Sequence, residues 1–508
     1  MSDNKRIAKN TIFLYFRMIL IMGVSLFTSR VILDKLGVVD YGLYNVVGGV
    51  VGMLSFLNGT LSNGTSRFLT YELGADNKEK LQRTFSTAFY THLLLSVIIL
   101  LIMETGGMWF LFNKLNVPAD RLEACVWVFQ LSILTTIISV TQVPYSAIIM
   151  AHEHMSIYAY VSIFEAVAKL IVCYLIAIAD SDRLIIYAIL IFLVQMIVAL
   201  YYRYYCSSHF VESKLSRSFD RGIFKSMMTF SGWNIMANLT ETLKHQGVLV
   251  LINMFFSPVI VAAQAIANQV INAMMQFVHN FRTAINPQII KLYAAGDKEA
   301  SKRLTLSTTV YCFDLVLLLG LPALFVMDEL LHLWLVDVPE YAVVFTQFMV
   351  VGQIIGTFSA AFYVPMLAAN KIKSNSIAAV FFGIGQFVVL YVLLKLGFDV
   401  MWMQYLYLFM VVVFALIVKP YILYKEIDYT LKELFACYWS CSKVLLLSLT
   451  FSIPAGLYLS DDLAGSILKI IVMGSSVLLS SCLFLDRVAK QKLLYLVKAK
   501  INKRQFIG

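Results

Sequence analysis

Apolar runs of about twenty residues or more recur along the chain, separated by short polar stretches rich in Lys and Arg. A run of that length is what an α-helix needs to cross a bilayer, and in hydrocarbon the backbone must satisfy its own hydrogen bonds. Each run therefore predicts a membrane-spanning helix, and about fourteen are readable. Six lie at roughly 11–33, 41–66, 84–112, 122–149, 156–179 and 184–205. Six more lie at roughly 224–255, 258–290, 304–335, 341–369, 375–396 and 401–424, and a last pair at 438–459 and 465–485.

The polar punctuation repeats. TSRFLTYELGADNKEKLQRTFSTAFY, from Thr65 to Tyr90, reads again as NPQIIKLYAAGDKEASKRLTLSTTVY, from Asn286 to Tyr311. Tyr71 and Gly74 match Tyr293 and Gly296 at an offset of 222. Ser86, Thr87 and Tyr90 match Ser307, Thr308 and Tyr311 at an offset of 221, as Pro144 and Ala147 match Pro365 and Ala368. So constant an offset predicts two homologous lobes, and internal duplication is a mark of secondary transporters. The expected division is an N-terminal six-helix lobe at 1–221, a C-terminal one at 222–436, an additional helix pair at 437–486 and a basic tail at 487–508. The longest connection, about 206–223, joins the lobes; no loop is long enough for a separate catalytic domain.

Composition fits this reading. Of 508 residues, 60% are hydrophobic and 14% charged, and mean hydropathy is +0.79. Soluble domains carry about 25% charged residues, so the class is an all-α polytopic membrane protein. The net charge of +10 resides in the loops, so the membrane accounts for it and nucleic acid is not implied. Loop cations divide 29 to six between alternate sides. By the positive-inside rule the richer side, which holds both termini, is cytoplasmic. An even number of spans per lobe makes the repeats parallel. The first apolar run is too long for a cleavable signal and has no small-residue cleavage site.

Seven cysteines form no CxxC, and His152, Glu153 and His154 lack the HExxH spacing that puts two imidazoles on one helical face. No cofactor or metal site is indicated, and the HEH triplet reads as a solvated loop. Neither GxSxG nor a Walker motif is present, which argues against an enzyme or an ATP-driven pump.

The informative residues are those that cost most to place. A charge at bilayer depth costs about 2.5–3.5 kcal/mol on insertion scales and therefore faces protein or a water-filled cavity. Five cations fall within spans (Arg17, Arg30, Lys169, Lys244 and Arg282), as do four acids (Glu104, Glu165, Glu241 and Asp314). Glu165 and Lys169 are four apart, Glu241 and Lys244 three apart, and Arg30 precedes Asp34 by four, all spacings that let helical side chains meet. Arg17 and Arg282 have no acid at such a spacing; snorkelling to the headgroups is the competing account. Gln269, Asn272, Gln276, His279, Arg282 and Asn286 share one face of the eighth span, and Asn234, Asn238, Glu241 and His245 one face of the seventh. Two polar stripes on consecutive spans favour a hydrated cavity over interhelical hydrogen bonding alone. The candidate substrate-binding residues are thus Arg17, Arg282, Lys244, His279, Gln276, Asn238 and His245, and the candidate ion-coupling carboxylates Glu165, Glu241 and Asp314. Gly48, Gly49, Gly52 and Gly59 form a small-residue face on the second span, a pattern that usually means close helix packing.

Four stretches carry a resemblance: SRVILDKLGVVDYGLYNVV (29–47), TSRFLTYELG (65–74), QVPYSAIIMAHEHMSIYAYV (142–161) and NPQIIKLYAAGDKEA (286–300). With two parallel six-span halves and a terminal pair, the chain resembles the MOP exporter superfamily, and its wording is most similar to the polysaccharide flippase branch. That resemblance implies a transporter, not an enzyme, that moves undecaprenyl-pyrophosphate-linked oligosaccharide units across the bacterial inner membrane by alternating access. It further implies membrane lipids, a polysaccharide polymerase and glycosyltransferases as partners. A cation-coupled multidrug exporter and a lipid II-type flippase are the alternatives within the superfamily. The multidrug branch carries cation-binding carboxylates, often in its first span; here that span holds Arg17 and Arg30 and no acid. A membrane-embedded glycosyltransferase would need a large outward loop, which is missing.

Overall fold

The computed structural model describes residues 3–74, 77–152, 154–216, 219–369 and 371–484, without the side chains of 3–17, 55, 58–60, 63, 155, 156, 158, 159, 230–237, 284 and 287. The described residues are helical, with no strand. The first six predicted spans correspond to α1 (Asp3–Leu36), α2 (Val38–Gly52) with α3 (Ser55–Gly74), α4 (Lys78–Ile102) with α5 (Met108–Asn113), α6 (Leu122–Ala151), α7 (Met155–Ala177) and α8 (Arg183–His209). The next six correspond to α9 (Arg221–Thr242) with α10 (Val248–Phe255), α11 (Pro258–Ala294), α12 (Lys298–Phe325) with α13 (Met327–Trp334), α14 (Ala342–Ala361) with α15 (Tyr363–Ala368), α16 (Lys373–Lys395), and α17 (Met401–Val413) with α18 (Lys419–Glu426). The last pair is α19 (Leu431–Tyr458) and α20 (Leu463–Phe484).

Eleven of these helical segments are long and apolar enough to cross a membrane. The spans expected at 11–33, 41–66 and 224–255 are helical but are not among the eleven, so the number fourteen rests on the sequence reading. Several spans are interrupted. Met53 and Leu54 break the second, and wide π turns sit inside others at Met103–Gly107, Leu243–Gly247 and Phe414–Val418. Such turns frequently mark functional positions.

The interior is largely apolar, but on α4 polar groups share it while large apolar side chains face outward. On α4, Leu94, Val97, Ile98 and Leu101 are exposed, while Thr84, Thr87, Thr91, His92 and Ser96 are buried. Lipid meets the outward face, and the hydroxyls turn inward. Two of them are satisfied on their own helix, Thr91 donating to the Thr87 carbonyl at 2.7 Å and Ser96 to that of His92 at 2.8 Å, while the buried Thr84 hydroxyl has no partner among the described residues.

The duplicated stretch folds the same way twice. α3 ends at Gly74 and α11 at Ala294; the Asn77 side chain then caps α4 by accepting from the Lys80 amide, as Asp297 caps α12 by accepting from that of Ala300, both at 3.0 Å. In the second copy Gly296 makes the turn at φ 85°, a backbone conformation that suits glycine. By packing the chain forms two compact units: 1–266 with 334–342 and 379–402, and 267–333 with 343–378 and 403–508.

Candidate functional site

In the first unit the seventh span presents Asn238 half-buried on α9, then Glu241 and, within the π turn, Lys244 and His245. Lys244 donates to Glu241 at 3.0 Å, the pairing expected from their spacing. Gly383 of α16 gives this turn room: a Cβ there would collide with Thr240 and come within 3.1 Å of the Lys244 stem. Lys169 is likewise held by Glu165 at 2.8 Å. Lys244 and Glu165 therefore each have a local countercharge. Asn234 and Arg17 lie outside the described side chains.

In the second unit α11 carries Gln276 and His279 exposed and Arg282 half-buried on one face. Thr283 donates to the His279 carbonyl at 2.8 Å, and its hydroxyl also lies 3.4 Å from the His279 ring nitrogen Nδ1. Arg282 forms no ion pair among the described residues; the Cys312 thiol of α12 is its electrostatic neighbour. Asp314, near the middle of α12, has its Oδ1 buried with no hydrogen bond, and the unpaired Ser481 hydroxyl of α20 lies beside it.

Several features were not legible in the sequence. Arg121, one of the six cations on the sparser side, holds two carboxylates: Nε donates to Asp40 at 2.8 Å, Nη1 to Asp182 at 2.6 Å, and Nη2 reaches both. Asp182 also caps α8, accepting from the Leu184 and Ile185 amides. The cluster lines a recess of about 450 Å³ with Lys35 and Arg183. The sequence shows Asp180 and Asp182 as an acid pair two residues apart, and the structure adds that Arg121 engages the second. Lys469, another of those six, is fully buried on α20 and paired with exposed Asp461.

The two histidines of the HEH triplet are docked rather than solvated, and Glu153 lies outside the described residues. The His152 ring stacks on Phe210 at 4.3 Å and pairs with Glu212 at 2.6 Å, and His154 meets the Tyr205 hydroxyl at 2.9 Å. The connection at 206–223 is itself anchored to α4, where the repeat landmarks Ser86 and Thr87 accept from the Ser216 and Asp220 amides at 2.9 and 3.1 Å. No group of side chains suited to a metal ion occurs among the described residues. Six cysteines are buried, Cys482 is exposed, and all are free.

Residues 36–329 match a family model described as polysaccharide biosynthesis protein. Among solved structures, the chain is similar to the lipid II flippase MurJ in an inward closed conformation, with TM-score 0.70, 10% identity and coverage of 93% of this chain and 98% of that one. It is also similar to an inward-facing multidrug resistance MATE family transporter of the MOP superfamily, with TM-score 0.63, 13% identity and coverage of 80% and 93%. A third likeness is to a MOP superfamily transporter from Pyrococcus furiosus Vc1, with TM-score 0.57, 14% identity and coverage of 80% and 92%. At these identities the likeness concerns fold, which is that of the MOP superfamily. Comparison with curated proteins finds no match.

Proposed function

The chain belongs to the polysaccharide biosynthesis protein family, and we propose that it is a flippase translocating undecaprenyl-pyrophosphate-linked oligosaccharide units across the bacterial inner membrane by alternating access. The observation that carries the reading is Arg282, a half-buried guanidinium within a predicted span, without an ion pair among the described residues and on one face with Gln276 and His279. A dianionic pyrophosphate leaving the headgroup region loses hydration, and a guanidinium offers it charge and a planar fork of donors. Arg17 supplies the second cation, with Asn238, Lys244 and His245 the polar surface of the seventh span. The corresponding positions by the 221 offset are Asn238 for Arg17 and Leu61 for Arg282, so the charges break the repeat, as one asymmetric substrate permits. Both termini are cytoplasmic in this proposal.

Of the three candidate ion-coupling carboxylates, Asp314 is favoured, because Glu165 and Glu241 are held by lysines. The test is surface glycan in a strain lacking its own copy. Arg17→Ala and Arg282→Ala each lower export at normal protein abundance, and Arg→Lys at either site retains part of it. Normal export from the double Arg→Ala variant would overturn the anion-site reading.

A further inference from the structure

Gly48, Gly49 and Gly52 of the second span border side chains and open space. Gly49 and Gly52 do not meet another helix's backbone. Cβ atoms built there meet the Gln246 side chain, Oε1 at 3.1 Å and Cγ at 3.7 Å, and one at Gly48 meets the Ser132 hydroxyl at 3.8 Å. The glycines leave space beside an amide from the π turn of the seventh span. That space is a cavity of about 260 Å³ inside the first unit, bounded by α2, α6, α8 and Gln246.

Its lining is uncharged and mixes polar side chains with the apolar Leu131, Ala188 and Ile191. Asn45 and Gln246 bring amides, Ser132 and Thr136 hydroxyls, and Tyr44 an aromatic ring. The Asn45 amide nitrogen is used by the Tyr41 carbonyl at 2.8 Å, which leaves its oxygen directed elsewhere. Among the described residues, Gln246, Ser132 and Thr136 form no side-chain hydrogen bond. Polar groups inside a membrane protein are ordinarily paired, so such groups around a cavity indicate a ligand that pairs with them. The cavity also lies close to the Arg121 cluster in sequence: Asp40, Arg121 and Asp182 open the three helices whose next turns form its walls, about 6–20 Å along each helix. One cation thus holds the three helix ends in register above the cavity.

The lining selects among ligands. With no carboxylate or cation, it suits neither an inorganic cation nor a phosphate, and a single ion would leave most of the volume empty. Amides donate and accept at once, which matches vicinal hydroxyls, and an aromatic ring covers an apolar sugar face. We propose that this cavity binds one uncharged sugar residue of the translocated glycan. The proposal rests on the flippase reading for its source of sugar but is tested apart from it.

The experiment uses the full chain, purified in detergent, with exposed Cys482 replaced by Ser and Ser132→Cys introduced as a reporter. The rate of N-ethylmaleimide labelling is measured with methyl glycosides of neutral hexoses, 6-deoxyhexoses and N-acetylhexosamines, and with undecaprenyl pyrophosphate bearing no sugar. At least one glycoside slows labelling saturably, and undecaprenyl pyrophosphate does not. Adding Gln246→Ala leaves the unliganded rate unchanged and raises the glycoside concentration needed by about 10-fold, the loss of one hydrogen bond. Equal labelling with every glycoside, or protection unaffected by Gln246→Ala, overturns the proposal. If Ser132→Cys protein does not accumulate, Thr136→Cys gives the same reading. Failure of the flippase reading shows separately: the wild-type chain then restores no surface glycan, whereas glycoside protection stands.

Discussion

At the residue scale, Arg121 holds two carboxylates at once. Their side chains are only 16–31% exposed, so the pairs are shielded more than surface salt bridges. Arg121→Ala leaves Asp40 and Asp182 facing each other and is expected to cost about 1.5–3 kcal/mol, the range for hydrogen bonds to charged groups, measured as a loss of thermal stability in detergent. The two acids respond differently. Asp40, just outside the 41–66 span, is pushed upward because burial outweighs the arginine. Burial also acts upward on Asp182, but Arg121 and the Ile185 and Leu184 amides outweigh it and hold the carboxyl below its ordinary value. The unfolded chain therefore takes up the Asp182 proton first. This group's contribution is complete above about pH 4 and is lost as pH falls through its folded value. Asp182→Asn should flatten the acid limb of stability against pH, and an unchanged acid limb would contradict the assignment.

At the element scale, glycines on α2 do two different jobs on one helix. A Cβ at Gly42 would collide with the backbone carbonyl of Pro258, which cannot move aside like a side chain, whereas one at Gly48 finds only the Ser132 hydroxyl at 3.8 Å. Gly42→Ala is expected to lower stability by about 1–3 kcal/mol, the usual cost of overpacking. Gly48→Ala should be nearly neutral for folding, since helix propensity favours alanine. Equal melting temperatures for the two variants would show that α2 and the start of α11 do not approach as described. The small-residue pattern alone does not separate these jobs, because both positions are the same residue type on the same helix.

At the scale of the whole molecule, the cation asymmetry makes a prediction about topology. Residues 78, 213, 298, 372 and 432 should be cytoplasmic, and 36, 116, 181, 337 and 461 outside, as read by reporter fusions at each position. Residues 78 and 298 open the capped helices of the two repeats, so finding them on opposite faces would defeat the parallel-repeat reading. The fold neighbours and the family match bear on the class of machine, and the fusions bear on its orientation.

What the sequence determined by itself is local or statistical. Span positions follow from apolar length, the duplicated caps at Asn77 and Asp297 from residues adjacent in the chain, and the Glu165–Lys169 and Glu241–Lys244 pairs from helical spacing. The tertiary structure decided the contacts between distant residues. Arg121 reaches carboxylates 81 and 61 residues away, His152 meets Glu212 across 60, and Gln246 lies beside Gly49. The physical reason is the solvent. In water, a buried face differs from an exposed one by hydrophobicity, and the sequence records the difference. In lipid, the outward face is apolar and so is most of the packed one, so apolar length marks where spans fall but not which of their faces meet, and only packing shows that a polar cavity lies among α2, α6 and α8.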